Sequence, residues 1–269
     1  MLSPTQRAGL LNGVEQLKFK VLLILLLVYH GTGSVKAAEL VVAVAANFTV
    51  TLEKLAPEFE RQSGHSVTIV SGATGRHYAQ IVNGAPYDVF LAADADVTAR
   101  LVEEGRALAD SRVVYAIGRL ALWSRQDSYV DPQGKVLTDG GFRRLSIANP
   151  RLAPYGRAAV EVLTALGQYD RLFARLVQGE NIAQTYQFVD SGNAELGLVA
   201  YSQVLENASG GSYWLVPEQL HTPLVQELVL LQDSSAAREF AEFMRQPSSL
   251  TLIAASGYGN LPATATINP

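Results

Sequence analysis

The chain contains no cysteine. Disulfides are therefore excluded, and a hydrophobic core has to hold the fold together. A lipid anchor attached after export is excluded as well, because that attachment needs a cysteine at the cleavage point. Histidine is scarce: His30, His65, His77 and His221 lie far apart, and no pair has the spacing of metal ligands, which argues against a zinc site. The nucleophile elbow GxSxG does not occur. The turn Gly72-Ala73-Thr74-Gly75 opens a helix yet lacks the lysine of a nucleotide-binding loop. Apolar runs that could span a bilayer are missing too: "VLLILLLV" at residues 21–28 falls far short of the roughly 20 residues required.

The remainder is ordinary for a globular protein. Of 269 residues, 48% are hydrophobic and 17% charged, enough for one large domain or two lobes and too apolar for disorder. Residues 1–37 differ from the rest. Arg7, Lys18 and Lys20 precede the apolar run, and Val35-Lys36-Ala37 follows it, the pattern of a secretory signal cleaved near Ala37. The expected mature chain starts near Ala38 and resides in the periplasm. It keeps 17 basic and 24 acidic residues, since the leader takes Arg7, Lys18, Lys20, Lys36 and Glu15. Nucleic acid is a poor partner for such a surface, and an anionic ligand would have to be held by local contacts.

Elements alternate along the mature chain. "LVVAVAAN" (residues 40–47) reads as a buried strand, residues 51–64 as a helix kinked at Pro57, and "SVTIVSG" as a second strand. A helix over residues 76–84, a strand over 87–94 and a helix over 97–105 follow, so parallel pairing with helices on both faces is expected. "VVYAIGRLALW" (residues 113–123) reads as one strand running straight through, too long for the first sheet and suited to crossing into a second lobe. There, "RLSIANP", helices over 156–167 and 169–177, and the strand "LGLVAY" form another α/β set. After the loop at residues 207–211, two strands and the amphipathic helix "SAAREFAEFMRQ" return toward the first lobe. The expected division is lobe I at 38–114 and 219–269, and lobe II at 115–218.

Two strand-to-helix turns in the first lobe point helix starts at one crevice, where open α/β sheets place ligands. Asn47 sits at the first, as a helix cap or an amide donor; Thr74 supplies a hydroxyl at the second, between glycines that let backbone approach a ligand. In the second lobe, Pro154-Tyr155-Gly156 and Asn181-Ile182 open helices, with Asn181 as a cap. A crevice lined by neutral N–H and O–H donors suits a desolvated, fully ionised tetrahedral dianion. An anion that arrives protonated would ask for an acceptor such as Asp.

"AANF", "SGATG", "YAQIVNGAPYDVFLAAD", "IANPRLAPYG", "ELGLVAYSQV" and "ASGYG" occur in an order that resembles the periplasmic molybdate-binding proteins of ABC import systems, over nearly the whole mature chain. The resemblance implies a type II periplasmic binding protein: two lobes, each a mostly parallel sheet flanked by helices, joined by two crossover strands that act as a hinge. It implies a monomer that captures molybdate or tungstate, needs no cofactor, and delivers the ion to an inner-membrane ABC permease. Carried onto matching positions, the ligand contacts are side-chain donors from Asn47 and Thr74 and the backbone N–H groups of Tyr155 and Ile182. Ala200 stands where some members place a ligand-binding tyrosine; Tyr201 follows one place later, and the Tyr155 hydroxyl is the candidate replacement.

Competing readings are a binder of sulfate or phosphate, a ferric-iron binder, which would need paired tyrosines and a carboxylate, and a phosphoester hydrolase. A triad of Ser71, His77 and Asp88 would serve the hydrolase, but each has a local explanation. Arg76 and His77 are within reach of an anion but read better as a solvent-facing first turn, and Asp94 reads as a helix cap.

Overall fold

The computed structural model describes residues 37–206 and 210–261. The expected signal segment, apart from Ala37, and part of the loop at 207–211 lie outside the described residues. Among the described residues, no helix is long and apolar enough to cross a membrane.

The described chain forms two five-stranded sheets. The strands are β1 (Glu39–Ala45), β2 (Ser66–Gly72), β3 (Val89–Ala92), β4 (Val113–Gly118), β5 (Leu120–Ser124), β6 (Leu145–Ala148), β7 (Leu176–Gly179), β8 (Leu196–Ala200), β9 (Ser212–Leu215) and β10 (Leu224–Leu230). The longer helices are α1 (Thr49–Ser63), α2 (Thr74–Val82), α3 (Ala95–Glu103), α4 (Pro154–Ala165), α5 (Ile182–Asp190), α6 (Ser235–Met244) and α7 (Pro247–Ala255). The first sheet has the order β2-β1-β3-β10-β4 and the second β7-β6-β8-β5-β9. In each, a parallel trio (β2-β1-β3 or β7-β6-β8) is extended by antiparallel pairing, through β10 in the first and β5 in the second. The centre strands β1, β3, β6 and β8 are buried almost throughout, because helices cover both faces and leave no room for a polar alternation. Aromatic packing closes the first lobe: the rings of Phe59 and Phe240 meet edge to face at 5.1 Å.

The crossing at residues 113–123 is two strands, not one. β4 stays in the first sheet to Gly118, beyond the expected boundary at 114/115, and β5 joins the second sheet from Leu120, with Arg119 as the joint. The return runs between Leu215 of β9 and Leu224 of β10. A further difference concerns residues 169–177: the helix stops at Leu172, a 3-10 turn covers Phe173–Arg175, and Leu176 and Val177 begin β7. Apolar periodicity does not separate a helix end from a short strand when both fall within a few residues. α1 continues through Pro57, which has no backbone N–H to donate and crowds the preceding turn. The tail rejoins the first sheet through the Gly259 N–H, which donates to the Ile117 carbonyl at 2.8 Å.

Candidate functional site

Four chain turns converge between the lobes. β1 and β2, neighbours in the first sheet, end at Ala45 and Gly72; β6 and β7, neighbours in the second, end at Ala148 and Gly179. Each is followed by the start of a helix. Together they border one small cavity, lined among others by Asn47, Thr74, Tyr155 and Ile182. All four sequence-predicted residues are thus brought together, each at most 4% exposed. Thr74 and Ile182 are the first residues of α2 and α5, and Tyr155 the second of α4. Their backbone N–H groups and that of Asn47 find no acceptor among the described residues. These are the orphan donors of helix starts, facing a cavity with the positive ends of helix dipoles.

Side-chain polarity refines the picture. The Thr74 hydroxyl accepts from the Ala93 N–H at 3.1 Å, so its own proton is left to donate. Asn47 behaves differently from expectation. It does not cap α1, whose cap position is Phe48 and carries no side-chain bond, and its amide nitrogen donates to Gln226 Oε1 at 3.0 Å and to the Tyr258 hydroxyl at 3.2 Å. What Asn47 holds toward the cavity is its backbone N–H. Its carbonyl is also occupied, accepting from Tyr258 at 2.8 Å and Ser202 at 3.2 Å. Asn181 does cap, accepting from the Gln184 N–H at 3.0 Å and fixing the entry to α5.

The glycines of the Gly72-Ala73-Thr74-Gly75 turn, of which Gly72 lines the cavity, are also required by packing. A Cβ on Gly75 would sit 3.0 Å from the Leu152 carbonyl oxygen, which accepts the Gly75 N–H at 2.8 Å across the lobes. Beneath Gly72 lies the His77 ring, buried and bonded to the Val44 carbonyl at 3.1 Å. Burial, chiefly, holds the His77 pKa below the usual imidazole value, which keeps the ring neutral.

The lining of the cavity contains no Asp, Glu, Lys, Arg or His. Charged residues stand outside it and join the lobes: Lys54 with Glu206 at 2.5 Å, Arg76 with Glu180 at 3.2 Å, and Arg157 with Asp94. Asp94 also caps α3 through the Asp96 N–H at 2.7 Å, as its position predicts. Ser71, His77 and Asp88 share no hydrogen bond. Ser71 pairs with Thr49, and Asp88 accepts from the Val41 N–H. Tyr201 begins a short helix after β8 and turns to the Tyr213 hydroxyl and the Arg119 guanidinium, away from the cavity.

Behind the donors lies a buried layer that includes Gln226 and Tyr115, two residues that no motif announces. Gln226 on β10 is fully buried and touches Asn47, Tyr115 and Tyr155 through hydrogen bonds. Burial pushes the Tyr115 and Tyr155 hydroxyls well above their ordinary pKa, and pushes Tyr258 up to about 12, so all three stay protonated donors.

Residues 40–259 match the model of the bacterial extracellular solute-binding protein family. The chain belongs to that family. It is 48% identical over 229 residues to the molybdate-binding protein ModA of Azotobacter vinelandii, covering 83% of this chain and 91% of that one. It is 44% identical over 226 residues to the ModA of Rhodobacter capsulatus, covering 82% and 88%. The solved periplasmic molybdate-binding protein of A. vinelandii superimposes with a TM-score of 0.80, at 44% identity, covering 83% of this chain and 99% of that one.

Proposed function

We propose that this solute-binding protein captures molybdate, and tungstate with it, in the periplasm and hands it to an inner-membrane ABC permease. The observation that carries the reading is the donor set: unsatisfied N–H groups of Asn47, Thr74, Tyr155 and Ile182 and the Thr74 hydroxyl around one cavity whose lining holds no charged side chain. Several neutral dipoles replace the hydration shell of a dianion without adding a counter-charge. The absence of a carboxylate acceptor from the lining disfavours an anion that keeps a proton, which sets molybdate apart from hydrogen phosphate.

The mature chain is taken to begin near Ala38 after signal cleavage; the expected lobe boundary at 114/115 moves to Arg119, since β4 stays in the first sheet to Gly118, and the lobes move about that joint and the β9–β10 return. Ion pairs outside the cavity hold the closed form, and their opening releases the ion to the permease. No cofactor enters this account, and one chain suffices for the site. Calorimetry of the purified mature chain with molybdate, tungstate, sulfate and phosphate tests it. Molybdate and tungstate are expected to bind tightly and phosphate not at all; tight sulfate binding without a molybdate response overturns the assignment.

A further inference from the structure

Gln226 joins buried polar groups of both lobes. It lies at an irregularity of β10, where the register against β4 shifts between Gln226 and Glu227. Glu227 is engaged elsewhere, with Arg112 at 2.8 Å and Thr98. The Gln226 Oε1 accepts from the Asn47 amide at 3.0 Å and from the Tyr115 hydroxyl at 3.0 Å, both in the first lobe. Its Nε2 donates to the Tyr155 hydroxyl oxygen at 3.2 Å, in the second lobe. Room for that last bond comes from Gly118: a Cβ there would lie 2.5 Å from the Tyr155 oxygen and 2.7 Å from Nε2.

This arrangement has a polarity. An amide offers an acceptor on one side and donors on the other, and the first-lobe partners take the acceptor side. The donor side then makes the Tyr155 oxygen an acceptor. A phenol whose oxygen already accepts has its single proton free to be donated elsewhere. Tyr155 lines the cavity.

We infer that Gln226 is a positioning residue for the anion: by donating to the Tyr155 hydroxyl oxygen it turns the Tyr155 proton into the cavity, adding a side-chain donor from the second lobe. The inference rests on the oxyanion reading and deepens it. It also assigns the compensation for Ala200 to a buried residue that touches no ligand. The titratable groups around Gln226 are the hydroxyls of Tyr115 on β4, Tyr155 on α4 and, through Asn47, Tyr258, and all stay protonated across neutral pH.

The test is molybdate calorimetry on the mature wild type, Gln226→Met, Tyr155→Phe, the double variant and Gln226→Glu. Gln226→Met and Tyr155→Phe are each expected to weaken binding at least tenfold, and the double variant no more than the worse single one, since Gln226 acts through Tyr155. Additive losses, or wild-type affinity in Gln226→Met, overturn the inference. Gln226→Glu guards against a misfolded Met variant. Protonated, its carboxyl reproduces the acceptor and donor of the amide; ionised, it only accepts and draws the Tyr155 proton inward. Its affinity is expected to approach wild type at pH 5.5 and to drop at least tenfold by pH 9, where the wild type changes less than twofold. Equal affinity of Gln226→Glu at both pH values overturns the inference. A wild type that binds no molybdate sinks the oxyanion reading as well, whereas a binding wild type with an unaffected Gln226→Met sinks the role of Gln226 alone.

Discussion

Replacing Ile182 by proline removes one backbone donor while leaving a helix that proline favours. Ile182 is the first residue of α5, where an N–H has no intrahelical partner and a φ near −65° suits the helix. The residue before a proline must be extended, and Asn181 already is, at φ −144° and ψ 178°. The Asn181 cap bond to Gln184 and the bonds further along α5 are untouched. A hydrogen bond to a charged group contributes about 1.5–3 kcal/mol, so its loss corresponds to a roughly ten- to 150-fold rise in Kd. Stability should fall too, because Ile182 is a buried member of the cluster that includes Tyr155 and Ala153, and proline fills less of that space. Ile182→Val keeps the N–H and most of the packing and serves as control. Calorimetry with molybdate, beside thermal melts without it, separates the two effects. A folded Ile182→Pro protein that binds within twofold of Ile182→Val would refute the claim that this N–H holds the ion.

Thr74→Val removes a hydroxyl that accepts from Ala93 and is left to donate into the cavity. It should weaken binding by a similar ten- to 150-fold and cost about 1–3 kcal/mol of stability for the orphaned Ala93 N–H, whereas Thr74→Ser should leave both nearly unchanged in calorimetry and denaturant melts. Arg157→Ala breaks the ion pair with Asp94 across the lobes; Arg157 is half exposed, so the loss is discounted to about 1 kcal/mol, read by stopped flow as up to roughly fivefold faster molybdate release. His77 is held below its ordinary pKa, mainly by burial, so the unfolded chain binds the extra proton first. Stability is then full above about pH 6.5 and declines as the pH falls from there toward the folded pKa. Thermal midpoints should drop between pH 7 and pH 5 in the wild type, and less steeply in His77→Gln.

The donors were legible because each follows a local rule. A strand end followed by a helix start exposes N–H groups whatever the rest of the chain does, which is why the turns at Asn47, Thr74, Tyr155 and Ile182 stood out, while the choice of these four as ligand contacts came from the family resemblance. The layer behind them was not legible. Tyr115 and Gln226 sit inside the apolar strands "VVYAIG" and "LVQELVLL", where they look like ordinary interruptions of a buried run. Their meaning comes from partners far away in sequence: Asn47 to Gln226 spans 179 residues, and Asn47 to Tyr258 spans 211. A polar residue in the middle of a strand buried on all sides is the one local signal that could have drawn attention to Gln226, since a buried amide must find partners. Asn47 reads from its position as a cap or an amide donor, and what the sequence did not announce is that its amide is bonded to Gln226 and Tyr258. The break at Arg119 escaped for a related reason: hydrophobic pattern reports burial, and both halves of the crossing are buried, each in its own sheet.

The central claim is that uncharged donors from four chain turns replace the water around a doubly charged anion. A crystal structure of the mature chain with molybdate tests it most directly. The account predicts the oxyanion within hydrogen-bonding distance of the Asn47, Thr74, Tyr155 and Ile182 N–H groups, with no lysine or arginine side chain touching it. An ion bound instead at the cleft mouth beside Lys54, or against Arg157, would contradict it.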